Sequence, residues 1–135
     1  MKILARTWRV LLVLWAGSLW SLLWVATVMF HFQSDRHTAG LIAGRLFGIE
    51  TYLGLAVAGL ALLFPARARF LLGFIASALL AINEWVLKAA MTRAQMHSGS
   101  AYLSFGAWHG ISAGLYVLAC LCVLVLIYKD EYRHA

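Results

Sequence analysis

The chain has 135 residues, of which 64% are hydrophobic and 12% charged. That is about half the charged fraction of a soluble domain and points to an integral membrane protein. The formal charge of +6 comes from 11 basic and 5 acidic residues; the basic ones sit in short segments between apolar runs, a pattern that membrane topology explains and nucleic-acid binding does not.

Met1 to Arg9 is short and basic, with Lys2, Arg6 and Arg9. Val10 to Phe30 then runs for 21 residues without a charge, enough to cross a bilayer core as a helix. The run exceeds a signal-peptide core and three more apolar segments follow, so it reads as a retained first span, about residues 9–32. Trp8 suits the membrane interface, whereas Trp15, Trp20 and Trp24 lie deeper and are expected to pack. Gly17 and Ser21 form a small-xxx-small pair for close helix contact.

His31 to Thr38 is a polar connection, and the second span covers about 39–64. Pro65 and the basic Arg67 and Arg69 form a turn that ends it. The third span covers about 70–91 and carries Asn83, Glu84 and Lys88 in its second half; Thr92 to Ser100 reads as a loop. The fourth covers about 101–128, with His109 inside it, and a short charged tail closes the chain. Cys120 and Cys122 point roughly 200° apart on a helix, so they cannot share a metal and read as small apolar residues. The whole is one four-helix transmembrane domain, all-α. With the N-terminus in the cytoplasm, seven Lys and Arg residues lie on that side and four on the other, which predicts N-in/C-in.

The second span organises the polar residues. Gly40, Gly44 and Gly48 recur every four residues, and Gly106, Gly110 and Gly114 repeat the spacing in the fourth span. Such stripes let helix backbones approach closely, so the two spans are expected to pack on each other. Helix rise puts Arg45 at ~9 Å and Glu50 at ~16 Å from the outer end of the span. Glu84, Lys88 and His109 fall in nearly the same slab. Arg45 and Glu50 are about 140° apart on their helix and need different neighbours, while Glu84 and Lys88 are spaced to pair within one helix.

Two readings follow. Arg45, Glu50, Asn83, Glu84, Lys88, His109 and Ser112 line an outward-facing polar pocket for a small solute, or they form an ion-pair network that fixes helix register. Softer ligands also collect on the outer side: His31, His37, Met96, His97 and His109 could hold copper or another metal ion. Haem would need two facing axial ligands, and His109 alone lies within the membrane. No soluble-enzyme motif is present: neither a phosphate-cradling glycine loop nor a nucleophile elbow occurs.

Three stretches carry a resemblance: Trp15 to Trp20, Ala39 to Phe47 (AGLIAGRLF) and Trp108 to Ser112. Through them the chain resembles the bacterial branch of the transmembrane protein 205-like family and, more distantly, is similar to the copper-resistance D proteins and the small haem-linked protoporphyrinogen oxidases. The resemblance implies a bacterial inner (cytoplasmic) membrane location and metal handling. The leading expectation is a membrane protein that binds or helps to move a small solute or metal ion. The alternatives are an accessory or assembly subunit of a larger membrane complex, and a haem-linked membrane oxidoreductase. Besides the lipid bilayer, the expected partners are further copies of the chain or a larger complex.

Overall fold

A computed structural model describes residues 2–32, 34–63, 70–96 and 103–132. The helices are α1 (Lys2–Phe32), α2 (Arg36–Leu62), α3 (Leu71–Ile82), α4 (Lys88–Met96) and α5 (Phe105–Tyr132). A π-helical segment, Asn83–Leu87, joins α3 to α4, so Leu71–Met96 is one continuous span of 26 residues. With Arg6–Phe32, Thr38–Leu62 and Gly106–Lys129 it makes four helices long and apolar enough to cross a membrane. The protein is an all-α integral membrane protein with four candidate spans.

Helix starts follow local chemistry. Asp35 precedes α2 and accepts a hydrogen bond from the Thr38 hydroxyl, and its carbonyl receives the Ala39 N–H at 3.1 Å. Ser104 precedes α5, where its Oγ accepts from the Ala107 N–H at 3.3 Å and its carbonyl from Trp108 at 3.1 Å. Both are favoured N-cap residue types, and they set starts at 36 and 105 rather than 39 and 101. The third span outruns the expected 91 because Thr92 and Arg93 bond back to the Lys88 and Ala89 carbonyls, satisfying polar side chains without leaving the helix. The basic turn at 65–69 and most of the tail lie outside the described residues.

Around the bundle, α2 packs on α1 and α3, and α5 packs on α3 and α1. Helices α2 and α5 are therefore diagonal, meeting where the Phe47 and Tyr116 rings touch edge-on at 4.8 Å. The core runs down the middle through Leu12, Trp15, Leu19, Val57, Leu80, Ala119, Cys120 and Val123. Phe70 closes it at the end where α1 begins, edge-on to Trp8 at 5.3 Å and to Phe74 at 5.1 Å.

The outside is as apolar as the inside. Leu14, Leu41, Ile49, Leu53, Ile75, Leu121 and Val125 are all exposed, an arrangement suited to lipid and not to water. Two expectations for the first span need correction. Trp15 is 1% exposed and packs, but Trp24 is 70% exposed and faces outward. Gly17 also faces outward: a Cβ there would meet nothing within 4 Å.

Candidate functional site

The polar residues at membrane depth divide among separate helix seams. Between α1 and α2, Glu50 is 6% exposed, and its Oε1 lies 3.0 Å from Ser18 Oγ. The buried Trp15 indole N–H is a second donor facing this carboxyl. Between α2 and α3, the Thr51 hydroxyl donates to the Leu80 carbonyl at 3.3 Å and Ser77 to the Gly54 carbonyl at 2.9 Å. Between α1 and α5, the Tyr116 hydroxyl donates to the Leu19 carbonyl at 3.0 Å.

The π segment supplies the seam to α5. Asn83 Nδ2 donates to the Ser112 carbonyl at 3.0 Å, and Ser112 Oγ returns a bond to Asn83 Oδ1 at 2.5 Å. A two-way clasp of this kind fixes both rotation and register, since either sliding or turning breaks both bonds. Interhelical side-chain hydrogen bonds in membranes contribute about 0.6 kcal/mol on average and at most ~1.7. Ser112→Ala removes one bond and leaves Asn83 Oδ1 without its hydroxyl donor. We expect a loss of about 1 kcal/mol, read as an earlier midpoint on titrating the purified protein from mild detergent into dodecyl sulfate.

The Glu84–Lys88 pair forms as the spacing predicts, with Nζ to Oε1 at 2.5 Å. Lys88 Nζ also reaches the Gly44 carbonyl at 3.5 Å, and the Glu84 carboxylate lies against Gly48, 3.2 Å from where a Cβ would stand. The second-span glycines therefore admit polar side chains from the third span. Gly106, Gly110 and Gly114 do not meet them: all three are exposed, and a Cβ at Gly110 or Gly114 would find nothing within 4 Å. The expected packing of one stripe on the other is replaced by α2 on α3, because α2 and α5 stand diagonally.

Of the seven expected pocket residues, Asn83 and Ser112 meet each other, and Glu84 meets Lys88. Glu50 turns to α1, whereas Arg45 and His109 are exposed. Arg45 has no hydrogen bond or ion pair among the described residues. The division follows from the 140° between Arg45 and Glu50: once Glu50 faces α1, Arg45 must face out. A concavity of about 390 Å³ runs along Thr27, Val28, Phe30, His31 and Phe32 of α1 and includes none of the seven.

Among the described residues, no three His, Cys, Asp or Glu side chains come together as a metal-ion ligand set. His31, Met96 and His109 are exposed. The His37 side chain and all of His97 lie outside the described residues. Sequence reasoning missed Ser18, Thr51, Ser77 and Tyr116. The available signal was simple: a hydroxyl inside an apolar span needs an acceptor, and a neighbouring helix is where one is found.

No curated protein and no solved structure matches the chain. Residues 10–100, about two thirds of the chain, match the family described as Domain of unknown function (DUF4149), and the chain belongs to that family.

Proposed function

We propose that the protein is a non-enzymatic membrane subunit that docks on a partner membrane protein through the exposed surface around Arg45. The observation that carries this reading is Arg45 itself. It projects from the bundle within the Thr38–Leu62 span and has no partner among the described residues. A guanidinium at that depth is costly in lipid and is stabilised by a carboxylate or carbonyl on another helix. The intramembrane polar side chains inside the bundle are largely spent on helix seams, which supports an assembly role over a pocket for a solute or metal ion.

The orientation that goes with this reading is N-in/C-in in a bacterial inner membrane, supported by the seven-to-four distribution of Lys and Arg. The finer resemblance to the transmembrane protein 205-like proteins rests on the Ala39 to Phe47 stretch, which contains Arg45.

Extraction in mild detergent followed by native gel and mass analysis tests the docking. The unaltered chain is expected in a complex larger than itself. Arg45→Leu is expected to fold with unchanged thermal stability and to leave that complex. A monomer for both chains, with Arg45 crosslinking only to lipid headgroups, overturns the reading.

A further inference from the structure

Arg45 does not stand alone on the outward side of α2. Tyr52 is seven residues on and 62% exposed, and its hydroxyl makes no hydrogen bond among the described residues. Seven residues of α-helix turn through about 700°, within about 20° of two full turns, so the two polar side chains lie one above the other, ~10 Å apart along the axis. Ile49, 64% exposed, stands between them. Seven residues further still, Gly59 is exposed with nothing within 4 Å of where a Cβ would stand, and Ala56 is exposed beside it. A seven-residue repeat of outward positions is the register in which one helix follows another at a shallow left-handed crossing.

Depth separates a helix from a lipid as the occupant of this face. Arg45 alone could send its guanidinium up to a headgroup phosphate, since long basic side chains near a span end snorkel. Tyr52 has no such route. Ten residues, ~15 Å of helix, separate it from Leu62, so its hydroxyl is near the middle of a ~30 Å hydrocarbon core and out of reach of headgroups. Tyrosines that face lipid belong at the interfaces, where the hydroxyl is wet. At mid-span an outward hydroxyl needs an acceptor from a second protein, and protein presented to lipid at that depth is helical.

Resting on the docking reading above, we propose that the partner is a different membrane protein, which lays one transmembrane helix along this face of α2, with a carboxylate opposite Arg45 and a hydrogen-bond acceptor two turns deeper opposite Tyr52. A second copy of the chain does not fit. A two-fold contact through α2 sets Arg45 against Arg45 at one depth, like charge on like. Any other face of a copy must supply the carboxylate, and the chain has five acidic residues. Asp35 lies ahead of the span and accepts from Thr38, Glu50 is 6% exposed, and Glu84 is paired with Lys88. Asp130 and Glu131 are at the far end of α5. None is open at the depth of Arg45.

Photocrosslinking in the native membrane tests this, with a benzophenone side chain replacing Ile49 or Ala56 in the full chain and, as the control, Leu121 on the outward side of α5. Both α2 probes are expected to join one foreign protein through a transmembrane segment that carries an Asp or Glu, whereas the Leu121 probe does not reach that segment. Arg45→Glu should abolish the crosslink, and changing the partner acid to Arg alongside it should restore it. Tyr52→Phe should leave the thermal stability of the isolated chain unchanged and weaken the complex about 3- to 20-fold, the range of one interhelical hydrogen bond. An unchanged complex in Tyr52→Phe overturns the inference. Crosslinks to another copy of this chain, or to a segment without an acid, also overturn it and leave the docking reading standing. Crosslinks from both α2 positions to lipid alone overturn both.

Discussion

Gly73→Ala is expected to destabilise the bundle by about 1–3 kcal/mol, the usual range for overfilling a packed core. The added Cβ would stand 2.2 Å from Phe70 Cζ and within 2.6 Å of two more atoms of the same ring. Something must move, and the ring is poorly placed to do so. Phe70 is 4% exposed and is held edge-on by Trp8 and Phe74. It sits just ahead of α3, so its ring folds back over the first turn of the helix it precedes. Pushing it away opens the end of the core or shifts α3 against α1. Gly110→Ala is the control, since its Cβ meets nothing. That variant should match the parent or gain up to about 1 kcal/mol from helix propensity. Midpoints of dodecyl sulfate titration for the two variants and the parent decide the matter; equal loss at both positions would show that helix propensity, and not the Phe70 contact, sets the cost.

Trp15→Ala is expected to cost about 3 kcal/mol, the low end of the range for large aromatic truncations in soluble cores. The low end applies because the separated helices would be solvated by lipid, leaving packing as the main term lost. Trp15 is among the largest fully buried side chains, and its ring approaches Phe70 and Gly54. Its truncation therefore opens the junction of α1, α2 and α3. The indole N–H faces the Glu50 carboxyl, and its removal adds little to the packing loss. Trp15→Phe, which keeps most of the ring and drops the N–H, should recover most of the stability. If Trp15→Phe proves as damaging as Trp15→Ala, the N–H matters more than the packing.

The parts of this fold that were legible in the sequence are those that depend on one helix at a time. Four apolar runs of spanning length must become helices, because backbone groups in lipid have no other partner. Glu84 and Lys88 pair because their spacing alone puts them together. The caps at Asp35 and Ser104 were also readable, and would have given the helix starts that hydropathy misplaced. The candidate site was legible only as a set of polar residues at a common depth. Which of them meet depends on the rotation of each helix about its axis.

That rotation is what the tertiary structure alone decided. In a soluble bundle the apolar stripe marks the inward face. Here both faces are apolar, since lipid is as good a solvent for leucine as the core is, and the pattern that would report rotation is erased. Identical glycine spacings in the second and fourth spans thus have opposite fates, one against Glu84 and Lys88, the other open. Gly54 and Gly73, which belong to neither stripe, meet closer contacts than any residue in them. The same loss of pattern hid Ser18, the hydroxyl that faces Glu50. The sequence by itself determined the four membrane helices, the Glu84–Lys88 pair and the separation of Arg45 from Glu50; helix rotation, set by side-chain packing and a few buried hydrogen bonds, decided where each of those residues points.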